Sequence, residues 1–257
     1  MGGHFDFAKD PVKMSQLAAG ALMFLRPDVQ PAVRTVGRSY AREQVYDSIR
    51  LPSSEQPYFT PGFPLTLPLQ HAVRVTSFDG PPTGQFEPAQ VSPIRSDTGE
   101  LTWTFGARKS GLVTVNTPRS QVLIGFCGAT QPATENLTAQ VNLPFCALTL
   151  SALDDKTIAS SARLLLTTTA RVANSDMAWN AKRTSLTSWG KAPTCIEPVT
   201  GQLVLKNLRD ARSVSVQPLD GAGRPMGATI PAKQSDRGWT LTIGEPATTW
   251  FIISVAR

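Results

Sequence analysis

Histidine is almost missing from this chain, whose 257 residues hold two, His4 and His71. A Ser-His-Asp or Cys-His relay would have to be built on one of them. His4 lies in GGHFDF close to the terminus, a region where chains fray. His71 opens a strand pattern with no nucleophile beside it in sequence. Cysteine is nearly as scarce: Cys127, Cys146 and Cys195 show no CxxC spacing and are too few for a disulfide framework. Cys127 (LIGFCG) and Cys146 (LPFCAL) fall in apolar strand patterns and read as small buried hydrophobes; a disulfide between two of the three stays open. The same shortage leaves no zinc-ligand spacing. GFCGA around Cys127 resembles a nucleophile elbow only superficially, lacking the strand-to-helix context. Phosphate-cradling glycine loops are missing too, since DGAGRP (Asp220 to Pro225) leads into a strand and reads as a hairpin turn.

Long apolar runs and concentrated charge are also lacking. The longest apolar stretch, LAAGALMFL, is half of the roughly 18 residues that a membrane span needs, and no signal peptide precedes it. The expectation is a soluble chain, cytoplasmic as it stands, with a secreted parent protein compatible with it. Charged residues make up 17% and the net charge is +6, yet the basic residues are scattered, with no run beyond Arg108-Lys109 or Lys182-Arg183. That pattern argues against nucleic acid and membrane as partners. Carboxylates such as Glu43, Glu87, Glu135 and Glu197 stand alone, and none has a context marking it as a glycosidase acid. No cofactor is expected. Calcium is not excluded, because Asp154-Asp155 and Asp97 with Glu100 form acidic loops of oxygen donors, although ordinary turn chemistry accounts for both.

What the chain has in quantity is punctuation: 21 prolines and 19 glycines. From His71 onward, short β-patterned runs recur about every ten residues, among them LTWTF, GLVTVNT, SQVLIGF, FCALTLSAL, GQLVLKN, RSVSVQPL and WFIISVAR. Turn chemistry (SDTGE, TPRS, LDDKT, SDRG) separates them. Many strands without intervening helices predict a mainly β fold, an antiparallel β-sandwich of jelly-roll or immunoglobulin-like type. WTLTIG to the C-terminus reads as a closing hairpin. Ahead of this lies one helix, announced by Asp10-Pro11 and ended by Pro27. Its Val12, Leu17, Ala18, Ala21, Leu22 and Leu25 have the spacing of a buried stripe, widened by Met14, Met23 and Phe24. RSYAREQVYDSIRL follows, as a short amphipathic helix or as two strands around a turn. Five prolines in residues 51–70 mark an extended connector. The expected division is a helical appendage (1–50), the connector (51–70), the sandwich (71–199) and C-terminal strands, with a small β subdomain an option there (200–257).

The most distinctive stretch is Asn174 to Gly201, a turn-rich excursion carrying Trp179, Asn180, Arg183, Trp189 and Lys191. Tryptophan faces with Arg and Asn can stack on sugar rings and bond their hydroxyls; equally, two tryptophans can pin a loop against a neighbouring domain, the reading favoured here. Asp97 to Trp189 (SDTGELTWTFGARKSGLVTVNTPRSQVLIGF, then FCALTLSALDDKTIASSARLLLTTTARVANSDMAWN) and WGKAPTCIEPVTGQLVL resemble the C-terminal β-sandwich region of large bacterial glycoside hydrolases. The N-terminal FDFAKDPVKMSQLAAGALMFLRPDVQPA looks like the last segment of the (β/α)₈ catalytic barrel that precedes it in that group. The resemblance implies carbohydrate-related ancestry with the catalytic barrel largely missing, so no catalytic residue carries over. The expected function is that of a non-catalytic accessory module with weak sugar binding or a domain-docking role. Its partners would be carbohydrate or the missing barrel, and Trp179, Asn180, Arg183 and Trp189 its contact residues. The alternative is a truncated glycosidase-derived hydrolase acting on esters, phosphoesters or glycosides, with His71 and Asp79 as candidates. A helix that has lost its partner also implies self-association, as a dimer.

Overall fold

The structure is a computed structural model that describes residues 10–47, 63–64, 66–84, 92–107 and 109–257. His4, Ile49, Glu87, Arg108 and most of the 51–70 connector lie outside the described residues. Strand accounts for 42% and helix for 12%. The chain divides into two compact units, Met1–Val29 with Leu112–Arg257, and Gln30–Gly111.

The first element, α1 (Pro11–Leu25), begins as its sequence dictates. Asp10 Oδ1 accepts from the amides of Val12 and Lys13, both at 3.1 Å, and Pro11 fills the first turn. The smaller unit follows. In it β1 (Thr35–Ser39) pairs in parallel with β2 (Ala72–Ser77), while α2 (Arg42–Asp47) comes between them in sequence. RSYAREQVYDSIRL thus supplies the end of a strand and then a helix. A 3₁₀ turn spans Leu67–Leu69, and β3 (Ile94–Arg95) and β4 (Leu101–Thr104) form a hairpin. Val36, Phe63 and Leu67 are buried together here against Val73 and Val75.

The larger unit is an antiparallel sandwich. Its strands are β5 (Leu112–Asn116), β6 (Ser120–Gly125), β7 (Leu137–Val141), β8 (Cys146–Ala152), β9 (Arg163–Thr169), β10 (Val172–Ser175), β11 (Ala178–Trp179), β12 (Leu186–Ser188), β13 (Lys191–Ile196), β14 (Gly201–Leu205), β15 (Ser213–Leu219), β16 (Ile230–Pro231), β17 (Lys233–Ser235), β18 (Gly238–Ile243) and β19 (Trp250–Ala256), with a short α3 (Cys127–Thr130) after β6. One sheet runs β16-β15-β19-β9-β8-β6-β5 and the other β17-β18-β14-β7. Alternate residues of both fill one core: Leu148 and Leu150 of β8, Leu164 and Leu166 of β9, and Phe251 and Ile253 of β19 meet Leu137, Leu203 and Leu241 of the smaller sheet. Strands after Thr200 are shared between the two sheets. The expected closing hairpin is absent, because β18 pairs with β14 and β17 whereas β19 pairs with β15 and β9. The two strands belong to opposite layers.

Helix α1 lies on the outer face of the larger sheet, over β8 and β9, and it buries only one edge of the stripe its apolar spacing suggests, with Val12, Ala18 and Leu22 half-buried. Ser15 and Ala19 are its buried residues, while Leu17, Ala21 and Leu25 of the expected stripe are exposed. The reason is the surface beneath it. Thr149, Thr167 and Thr169 face outward from β8 and β9 and are buried under the helix. Gln16 satisfies them, accepting from Thr149 Oγ1 (3.3 Å) and Thr167 Oγ1 (3.0 Å) and donating to Thr169 Oγ1 (2.9 Å). Trp250 Nε1 donates to the Ser15 carbonyl at 2.7 Å, and Ser120 Oγ to Asp28 Oδ2 at 2.7 Å. A hydroxyl-lined sheet face selects the helix side that can bond hydroxyls.

Candidate functional site

Between β9 and β14 the chain leaves the sandwich as a two-stranded ribbon. Its base is β10 paired with β13, Val172 opposite Ile196 through Ser175 opposite Lys191, and its tip is β11 paired with β12. Almost every residue of β11, β12 and β13 is exposed. Isolated hairpins of this kind are marginal by themselves, and side chains reinforce this one. Asn174 Nδ2 donates to the Trp189 carbonyl (2.9 Å) and its Oδ1 accepts from Thr194 Oγ1 (2.8 Å). Lys191 Nζ meets Asp176 Oδ2 at 2.9 Å. At the corner, Gly190 has φ +69 and lies so close to the opposite strand that a Cβ there would stand 2.2 Å from the Ser175 carbonyl oxygen. The result is a fixed platform for Trp179, 47% exposed, and Trp189, 62% exposed.

The four ribbon residues named from sequence are thus brought onto one element, but not in equal roles. Asn180 is spent on the turn: its Oδ1 accepts from the Thr184 amide (2.9 Å) and its Nδ2 donates to Thr184 Oγ1 (3.0 Å). Arg183 occupies a left-handed turn position (φ +55) with its side chain exposed. The ribbon therefore offers two aromatic faces and a cation, while its amide holds the loop.

His71 and Asp79 fall at opposite ends of β2, so they form no site together. Asp79 closes a local turn with Ser77, whose Oγ contacts both its carboxylate and its amide at 3.2 Å. His71 has instead a partner that its local sequence does not reveal, Asp97: Nδ1 lies 3.0 Å from Oδ2. Asp97 also accepts from the amides of Arg34 (2.8 Å) and Val33 (3.1 Å). The His71 hydrogen bond, followed by the Arg34 amide, holds its carboxyl below the ordinary 3.8. Twenty-six residues separate the pair, so neither flank carries a signal of it.

The strand-to-helix step denied to GFCGA is present, because β6 runs through Phe126 directly into α3 with Cys127 at its head. Cys127 is therefore helical rather than in a strand. Its thiol nevertheless points inward: Cys127 and Cys146 are fully buried, and Cys127 Sγ sits 3.8 Å from the Cys146 carbonyl. The adjacent Cys127 sulphur, together with burial, pushes the Cys146 thiol far above its usual range. That pair is core rather than nucleophile.

Asp154 and Asp220 serve turns as well, each carboxylate accepting from two backbone amides. Among the described residues no group of three His, Cys, Asp or Glu side chains could hold a metal ion, and no helix is long and apolar enough to cross a membrane. A shallow cleft of about 530 Å³ lies on the smaller sheet, where Gln140, Gln202 and Thr242 stand in register beside Asn142 and Glu245. Its lining mixes these polar groups with Ile243 and the backbone of Gly201 and Gly244, and no aromatic residue lines it. No protein-family model, no curated protein and no solved structure matches the chain.

Proposed function

We propose that the protein is an accessory, non-catalytic β-sandwich module of glycoside-hydrolase descent that makes contact with carbohydrate, or with a barrel domain, through its β10–β13 ribbon. The observation that carries this reading is the pair Trp179 and Trp189, held half-exposed on a ribbon braced by Asn174, Asn180 and Gly190. Water-exposed indoles on a preset platform lose little freedom on binding, which is what makes tryptophan an effective anchor. Their faces would stack on the apolar side of a pyranose, and the exposed Arg183 of the same ribbon would supply donors for its hydroxyls. Isothermal titration with soluble polysaccharides tests the reading. Trp179→Ala or Trp189→Ala should each weaken binding about tenfold, as loss of a binding hot spot does. Unchanged affinity in both variants would retire the ribbon as the contact surface.

A second reading, a hydrolase, is favoured by the His71–Asp97 pair. A carboxylate that fixes Nδ1 leaves Nε2 as a base toward water at an ester or phosphoester carbonyl or phosphoryl centre. It is tested by turnover of chromogenic esters, phosphotriesters and glycosides that survives repurification and falls in His71→Gln.

A further inference from the structure

We infer that the exposed face of α1 is a self-association surface, on which a second copy of this chain packs its own α1 antiparallel across a two-fold axis near Gly20 and Ala21. This inference is independent of the ribbon's role.

The side of α1 turned away from the sheet carries Met14, Leu17, Ala21, Phe24 and Leu25. Met14, Leu17, Phe24 and Leu25 are 42%, 47%, 85% and 77% exposed. Met14, Leu17, Ala21 and Phe24 follow a 3-4-3 spacing, the seam of a paired helix. Lys13, exposed and ion-paired with Asp10, flanks the stripe at its N-terminal end; from Met14 to Leu25 no charged residue occurs, so in an antiparallel pair the two lysines lie at opposite ends and no ion lies at the centre.

A second copy fits better than an unrelated partner because the stripe complements itself. Its middle is small, Gly20 and Ala21, and an added Cβ on Gly20 would meet nothing within 4 Å. Its ends are large, Met14 and Leu17 on one side and Phe24 and Leu25 on the other. Turned antiparallel about the small middle, Phe24 of one copy falls over Leu17 of the other, and the low centre lets the backbones approach. The residue-to-residue reciprocity is that of an isologous interface. Fully covered, the exposed parts of Met14, Leu17, Phe24 and Leu25 would remove at most about 1,000 Å² over both copies, the lower limit of a specific interface. An interface at that limit implies a concentration-dependent dimer.

The experiment is light scattering with site-directed cross-linking on the full chain, in a Cys195→Ser background that removes the exposed native thiol. The expected mass is that of a dimer at tens of micromolar. Leu17→Glu and Phe24→Glu, both outside the buried face of α1, should return the monomer while circular dichroism and melting remain those of the parent. Ala21→Cys should cross-link to its own counterpart under oxidation, since near the axis the two positions face each other. Met14→Cys should not, because its counterpart lies about 20 Å away along the antiparallel pair. A monomeric parent at these concentrations, a dimer that persists in both glutamate variants, or efficient cross-linking at Met14 but not at Ala21 would overturn the inference.

Discussion

Two single residues show most directly how polar chemistry organises this chain. Gln16 holds three buried threonine hydroxyls, so Gln16→Leu leaves Thr149, Thr167 and Thr169 without it. Unsatisfied buried polar groups cost about 1–3 kcal/mol each at most, and part is recovered by mutual bonding. A loss of roughly 2 kcal/mol in urea unfolding of the larger unit is expected; a neutral or stabilising effect would show that the helix is seated by packing alone. Asp97 makes a pH-dependent contribution. Its carboxyl titrates below 3.8 in the folded state, so the stability it adds is complete above that value and is lost as pH falls through the lower folded one. Asp97→Asn should lower the melting temperature of the smaller unit at pH 7, and the gap to the parent should be smaller at a pH well below 3.8. A gap of equal size at both pH values would contradict this origin. Neither residue's role was legible in the sequence. Nothing in its flanks singles out Gln16, and Asp97 reads as a turn residue, because each is defined by partners that only the fold brings near.

At the scale of elements the sequence was far more informative. Period-two patterning located β5, β6, β8, β14, β15 and β19 because each has one face on the shared core, and burial writes alternation directly into sequence. Pairing was less legible: WTLTIG and WFIISVAR have identical local signatures whether they form a hairpin or split between layers, as β18 and β19 do. For α1 the start and stop were legible from Asp10-Pro11 and Pro27, but the buried side was not. Apolar periodicity assumes an apolar surface beneath the helix, and here the surface is threonine. The ribbon illustrates a third case, where its tryptophans were visible but its brace was not. Gly190 fixes that brace through its positive φ and its approach to Ser175. Gly190→Ala should therefore distort the ribbon and abolish its binding while leaving the melting temperature of the sandwich within about 2 °C of the parent. Parallel loss of both would mean that the ribbon is integral to the core.

For the whole molecule, the antiparallel sandwich with its N-terminal helix provides the support, and among the described residues of the larger unit the exposed aromatic and apolar groups include the ribbon tryptophans and the outer stripe of α1, with Ile124, Phe145 and Leu153 elsewhere. On the proposed reading the stripe meets a second copy and the ribbon meets carbohydrate or a barrel. That the ribbon tryptophans are the contact surface is tested most directly by affinity electrophoresis through gels containing a panel of soluble polysaccharides. The parent protein should be retarded by at least one polysaccharide, and the Trp179→Ala/Trp189→Ala double variant should migrate there as in a plain gel. Equal retardation of parent and double variant would contradict the claim.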